Sequence, residues 1–501
     1  MNDTKSKTAG ASIMRGASLM MLFKLSERSI GFVSTLILAR VLTPADFGLV
    51  AMAMSVVALM ELMGAFGFDV AIIQKQNTER KHFDTAWTFN LIFSCLTAVF
   101  LLILTIPAAD FYNEPRLHLM IPALAFGALI QGFENVGTVM FRKDMDFAKE
   151  FRFLLSKKVA SFAVTITLAL VFRSYWALIA GIVFGKTFSV VISYLVHPFR
   201  PRLSLAASHE FFHFSKWLFL SNLVLFIQNK ADNFVLGRTV GAHDLGLYNI
   251  ASEIAAMPST ELIAPINRAV FPAYAMLSTD LAALRTKFLE VFSVIALIAF
   301  PVSVGLVCVA DTAVRTLLGP QWVMAVPLLQ MFAVCGFASS IQSNMIIVIV
   351  ALGQPRANTL MSAGMLVVYL PAMIYASINY GTMGAASVHM VMSMVVLIPL
   401  HIVFFRITGV RSRDYFGALL RPALAVLAMA AALYGLSGLV STALGVPPLL
   451  VLLVQVVVGG LVYAACLLGL WWLAGRPKVS AETDILRKVG QRVPRMNALI
   501  L

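Results

Sequence analysis

The chain has 501 residues, 60% of them hydrophobic and only 12% charged, and a formal net charge of +14. A water-soluble protein of this length cannot hide so much apolar surface, so a soluble globular enzyme is excluded. Segment after segment supplies the roughly 20 apolar residues that a helix needs to cross a bilayer, which makes the expected fold class an all-α polytopic membrane protein.

The opening MNDTKSKTAGASIMRG is short and polar, and the apolar stretch behind it is too long and too charged for a signal peptide, so none is expected to be cleaved. Fourteen spans follow. Six lie near residues 14–40, 46–73, 83–108, 118–141, 153–172 and 175–197, and six more near 211–237, 245–273, 288–310, 324–352, 357–378 and 383–405. Two last spans, near 415–440 and 447–475, precede a basic tail at 476–501, expected to be cytoplasmic.

LARVLTPADFGLVAMA at 38–53 returns 198 positions later, ungapped, as LGRTVGAHDLGLYNIA at 236–251. Leu38, Arg40, Asp46, Gly48, Leu49 and Ala53 match Leu236, Arg238, Asp244, Gly246, Leu247 and Ala251. The offset equals one set of six spans, so span 7 repeats span 1. Because six is even, the two halves insert in the same orientation as parallel repeats. The expected domains are an N-terminal lobe at 1–199, a C-terminal lobe at 200–409, two added helices at 410–475 and the tail. Thr43 is placed as a helix N-cap with Pro44 at the first helical position, and Arg40 with Asp46 and Arg238 with Asp244 are candidate pairs within two tight hairpins.

Charge tests this topology independently. With a cytoplasmic N-terminus, Arg80, Lys81, Arg142, Lys143, Arg152, Arg200, Arg202, Arg411 and Arg413 fall on the cytoplasmic side, and the opposite side holds only Arg40, Arg116, Arg173, Arg238 and Arg315. That is the positive-inside pattern, so the basic balance reports topology, and no nucleic-acid partner is expected.

Signatures of soluble chemistry do not develop. Cys95, Cys308, Cys335 and Cys466 lie inside apolar spans without paired spacing, so neither a disulfide framework nor a metal site is expected. Gly181-Ile-Val-Phe-Gly185-Lys186-Thr187 approaches a P-loop but has three residues between the glycines where four are needed, and no strand precedes it. Asp144 and Asp146 form a short acidic pair that reads as a solvated helix connection.

Attention therefore moves to ionisable residues inside the spans, each costly unless it faces a cavity or a partner. Lys24, Glu27 and Arg28 share one face of span 1 at i, i+3 and i, i+4 spacing. Span 2 carries Glu61 and Asp69, span 4 Glu134, span 5 Lys157 and Lys158, and span 6 Lys186. Span 7 holds Lys230 and Asp232, and span 8 holds Glu253, Glu261 and Arg268. These charges either line a central cavity or neutralise one another in buried pairs, Lys24 or Arg28 with Glu27 or Glu61 for instance. A cationic cavity suits an anionic diphosphate, and acidic neighbours suit exchange of protons or sodium ions.

SLMMLFKLSERSIGFVSTLILARVLTPADFGLVAMA, FGFDVAIIQK and MFRKDMDF resemble the Wzx-type oligosaccharide flippases, the polysaccharide transporter branch of the multidrug/oligosaccharidyl-lipid/polysaccharide exporter superfamily. The resemblance covers residues 14–475. It implies two six-helix lobes in a V shape around a central cavity, two C-terminal helices, and alternating access. It further implies a lipid-linked translocase, not an enzyme, in the bacterial cytoplasmic (inner) membrane with both termini cytoplasmic. The implied cargo is a polyprenyl-diphosphate-linked oligosaccharide for O-antigen, capsule or exopolysaccharide, and the implied protein partners are a polysaccharide polymerase and a chain-length regulator. On this resemblance Lys24, Arg28, Lys186, Lys230 and Arg268 are the substrate-binding candidates, and Glu27, Glu61, Asp69 and Glu261 are the candidates for coupling to H+ or Na+. No other cofactor is implied. A cation-coupled multidrug antiporter of the same fold is the alternative, followed by a polyprenyl-linked glycosyltransferase or polymerase.

Overall fold

A computed structural model describes residues 2–61, 72–73, 78–208, 226–441 and 447–475. Among the described residues there is no strand. Helices dominate because a backbone N–H or C=O in hydrocarbon finds no water, and a helix satisfies those groups within one segment. Nine helices are long and apolar enough to span a membrane among the described residues, and ten if one bent pair counts as a single span. The chain is a multi-pass membrane protein.

It forms two compact units, Met1–Gly246 and Leu247–Leu501. The first unit contains α1 (Asn2–Val41), α2 (Pro44–Glu61), α3 (Arg80–Tyr112), α4 (Leu117–Gln131), a 3-10 turn (Val136–Thr138), α5 (Val139–Lys143), α6 (Phe147–Phe172), α7 (Trp176–Val196) and α8 (226–239). Local chemistry sets many of the ends. Thr43 and Asp46 form a reciprocal N-terminal box on α2, with the Thr43 N–H donating to Asp46 Oδ2 at 2.8 Å and the Asp46 N–H donating to Thr43 Oγ1 at 3.4 Å. Asp146 accepts from the Lys149 N–H at the start of α6, and α3 stops where Asn113 turns left-handed at φ 53°.

Within this unit α6 packs along α1 and α7, and α4 packs along α3 and α7. Residues after α7 return to the N-terminal end of α3, where the Arg202, Ser204 and Ala207 N–H groups donate to Asp84, Thr88 and Thr85. Side chains on α3 thus satisfy backbone that has no helix of its own. The expected fourth span is broken: α4 and the helical stretch Val136–Lys143 meet at 65°.

α9 (Gly241–Met257) runs across the boundary between the units. The second unit continues with a π turn (Pro258–Ile263), α10 (Ala264–Met276), α11 (Leu281–Ala313), a second π turn (Val314–Leu318), a 3-10 turn (Pro320–Ala325), α12 (Val326–Ala351), α13 (Pro355–Val395), α14 (Leu397–Thr408), α15 (Ser412–Ser441) and α16 (Pro448–Leu473). α13 is two antiparallel spans, reversed at Gly381 (φ 62°, ψ −149°), a backbone state open to glycine. A Cβ on Gly384 would overlap the carbonyl of Ala376, whereas residues eight apart in a straight helix stand about 12 Å apart.

The core of this unit is aromatic. Phe288 stacks on Phe292 at 5.3 Å, and Phe292 lies 4.5 Å from Tyr415, which is 1% exposed. The outward faces stay apolar, with Ile103, Leu170, Leu195, Val367 and Leu461 exposed, as contact with lipid tails requires.

Candidate functional site

The charges expected on span 1 remain on one face of α1. Lys24 Nζ lies 2.9 Å from Glu27 Oε2, and Lys24 and Arg28 are exposed. Of the charges on span 2, Glu61 ends α2, and Asp69 lies outside the described residues. Lys186 reaches Glu61 from α7, with Nζ 2.9 Å from Oε1, so the structure joins one substrate candidate to one coupling candidate. Lys186 also settles the P-loop question: Gly181 lies within α7, its Cα against Thr165 of α6, and no phosphate-cradling loop exists there.

With Glu61 of that pair in its wall, a cavity of about 500 Å3 lies at the break between α4 and α5 in the first unit. Its wall holds Glu61, Asn90, Ser94, Gln131, Glu134, Arg142, Glu150 and Lys157. Irregular backbone at membrane depth is tolerated where it lines a cavity, and Gly132, Glu134 and Asn135 do so here. Asn135 anchors the break: fully buried, it donates from its backbone N–H to Ser193 Oγ at 3.0 Å and from Nδ2 to the Phe199 carbonyl at 2.8 Å. Lys157 Nζ sits 3.0 Å from Glu134 Oε1, and Arg142 Nε sits 2.8 Å from Glu150 Oε1. Glu134 and Lys157 carry no assigned role in the sequence reading, and Asn90, Gln131 and Glu150 are missed by it. The signal available was Gly132-Phe133-Glu134-Asn135, a polar, glycine-started stretch inside an apolar span.

At the water-exposed ends, Arg116 grips Glu114 through Nε at 2.7 Å and Nη2 at 2.8 Å, and this pairing holds the Glu114 carboxyl below the usual carboxylate range. His197, just past α7, is pushed below its ordinary value, first by burial and then by Lys149 and Arg200. Its Nδ1 accepts from the Phe199 N–H at 3.2 Å, which requires a neutral ring.

Of the hairpin pairs expected within the repeat, Arg238 and Asp244 take other partners. Asp46 is held by Thr43, whose N–H and Oγ1 both donate to Oδ2. Arg238 donates to the carbonyls of Asp110 (3.1 Å) and Phe111 (2.6 Å), while Asp244 meets His243 Nδ1 at 2.9 Å. A guanidinium at the end of α8 finds carbonyls in the last turn of α3, where no following helical turn supplies N–H partners and acceptor capacity remains. Lys230, on α8, is half-buried.

The second unit carries Glu261 and Arg268. Glu261 lies in the π turn, accepts from Thr260 Oγ1 at 2.9 Å, and lines a pocket of about 490 Å3 with Gln455 and the apolar Met257, Pro301, Leu306 and Met429. Arg268 is exposed on α10, its Nε turned back to the Ala264 carbonyl at 3.4 Å. A polar seam runs beside them: Asn344 Nδ2 donates to Asn267 Oδ1 and Asn267 Nδ2 to Ser343 Oγ, both at 2.8 Å.

This arrangement places paired charges and neutral polar groups inside an apolar bundle, and the chain is similar to known proteins. Lipopolysaccharide biosynthesis protein WzxC of Escherichia coli (strain K12) is 27% identical over 320 residues, 62% of this chain and 64% of that protein. Succinoglycan biosynthesis transport protein ExoT of Rhizobium meliloti (strain 1021) is 24% identical over 323 residues, 64% of this chain and 65% of that one. The chain therefore matches slightly less than two thirds of the length of each. A solved structure of the lipid II flippase MurJ in an inward closed conformation shares the fold, with a TM-score of 0.70, 14% identity, and coverage of 91% of this chain and 100% of that one. Residues 37–327 match the family described as polysaccharide biosynthesis protein, more than half of the chain, and the chain belongs to that family.

Proposed function

We propose that the protein is a lipid-linked oligosaccharide flippase that moves polyprenyl-diphosphate-linked repeat units from the inner to the outer leaflet of a bacterial cytoplasmic membrane. The family match across residues 37–327 carries this reading. A relative named as a transport protein of succinoglycan biosynthesis supports translocation over synthesis. On this reading the chain has fourteen spans in two parallel six-span lobes, two added helices and both termini in the cytoplasm. A polymerase and a chain-length regulator act on the delivered units, which serve O-antigen, capsule or exopolysaccharide.

The physical task is to carry a diphosphate and several sugars past hydrocarbon, while the polyprenyl tail stays in lipid. Moving a single unpaired polar group into hydrocarbon costs several kcal/mol, so the headgroup needs a polar path that opens to each side in turn. Lys24, Arg28, Lys186, Lys230 and Arg268 supply positive charge for the diphosphate, and Glu27, Glu61, Asp69 and Glu261 exchange H+ or Na+. The Lys186–Glu61 pair at 2.9 Å supports a direct link between the two groups. A proton on Glu61 removes its hold on Lys186, and the freed ammonium becomes available to an anionic headgroup.

Deleting the gene tests the reading. Surface polysaccharide is lost and lipid-linked units accumulate facing the cytoplasm; intact polysaccharide with altered drug sensitivity supports the multidrug antiporter instead.

A further inference from the structure

Within the first unit, the cavity at the break between α4 and α5 has a chemistry that narrows its occupant. Its volume, about 500 Å3, lies in the range of small-molecule sites. Each acidic group there has a basic partner: Glu61 with Lys186, Glu134 with Lys157 and Glu150 with Arg142. A wall so balanced offers no excess charge to a diphosphate. Nor does it cage a metal cation, since no group of three or more His, Cys, Asp or Glu able to hold one occurs among the described residues.

What the wall leaves unspent is neutral hydrogen-bonding capacity. The side chains of Asn90, Ser94 and Gln131 face the cavity and have no protein partner among the described residues. Glu150 presents a second signal: its side chain is 7% exposed, Oε1 is held by Arg142, and Oε2 has no hydrogen-bond partner. A buried carboxylate oxygen without a donor is costly, and a hydroxyl group removes that cost. Amides that both donate and accept match vicinal hydroxyls, which do the same. Phe93 and Leu154 supply apolar surface for the C–H faces of a ring.

We infer that this cavity is a saccharide site that grips a neutral, hydroxyl-rich sugar of the transported unit, apart from its diphosphate. The inference rests on the flippase reading. Asn90, Gln131 and Glu150 are its hydrogen-bonding set, and the Glu134–Lys157 pair orients the sugar at the rim.

The test uses the full chain, purified in detergent and titrated calorimetrically with a lipid-free oligosaccharide released by mild acid from the surface polysaccharide of the same cells. The wild type binds, and Asn90→Ala/Gln131→Ala binds at least about tenfold more weakly at an unchanged melting temperature. If the double variant melts early, Gln131→Ala alone, at an exposed helix end, gives the reading. Equal binding by wild type and a folded variant overturns the inference, as does no binding by the wild type. Export separates the two proposals. A deletion strain that still exports polysaccharide overturns the flippase reading; a deletion strain that fails to export but is fully restored by Asn90→Ala/Gln131→Ala overturns the saccharide site alone.

Discussion

Gly48 and Gly246, equivalent residues of the internal repeat, make equivalent contacts: a Cβ on Gly48 would overlap the carbonyl oxygen of Ala242, and a Cβ on Gly246 would overlap that of Pro44. Pro44 and Ala242 are themselves separated by the same 198 positions as the repeat. Two helix starts therefore approach backbone to backbone, each glycine admitting the other hairpin, and the repeat is kept at these positions by close packing.

Substituting either glycine forces the hairpins apart, because the obstructing atom is backbone and cannot swing away. Gly48→Val and Gly246→Val are each expected to destabilise by about 1–3 kcal/mol, as overpacking does, and to lower the melting temperature in detergent. Export falls with it. A variant that melts and exports like the wild type removes the contact from the working structure.

The Lys186–Glu61 pair is predicted to matter more for transport than for stability. Glu61 is 46% exposed, so solvent screens the pair and its loss costs no more than about 1 kcal/mol. Glu61→Gln and Lys186→Met are expected to melt within a few degrees of the wild type yet to cut export roughly tenfold or more. Vesicle flipping assays across a pH gradient check this: Glu61→Gln loses the gradient dependence.

Asn135 is the structural keystone of the cavity. Asn135→Ala removes the Nδ2 donor from the Phe199 and His197 carbonyls, which keep only Arg200, and leaves the buried Gly137 N–H without its acceptor, at a total cost of about 1–3 kcal/mol. Lower expression and a clearly lower melting temperature follow, whereas Asn135→Asp, which keeps the oxygen that caps Gly137 but loses the donor, also fails. Thermal unfolding followed by fluorescence-detected chromatography reads both.

His197 makes the segment after α7 sensitive to acid. Its value lies below the ordinary one of 6.5, so the unfolded chain binds the proton more readily than the folded one. Its contribution to stability is complete above pH 6.5 and is lost as pH falls through the depressed value. Melting temperature is expected to drop across that window in the wild type and to drop less in His197→Gln.

Charge reversal on α1 probes the diphosphate proposal. Lys24→Glu sets two acids side by side at residues 24 and 27, and Arg28→Glu inverts the neighbouring turn. Export is expected to stop at unchanged protein level; wild-type export by both variants removes them from the path.

Most of the fold was legible in the sequence. Whether a stretch of about 20 residues enters a bilayer depends on its own composition, and the caps at Thr43 and Asp146 depend on three or four neighbours, so both can be read along the chain. The repeat, too, is a property of the chain alone. Tertiary structure decided which charges meet: Glu61 and Lys186 stand 125 residues apart, and Arg238 chose carbonyls 127 and 128 positions away over its nearby Asp244. It also decided that the fourth span breaks at Gly132 and that a polar cavity opens there. Such outcomes depend on how helix faces pack, and packing is settled between segments distant in sequence, where periodicity and composition carry no information about the partner.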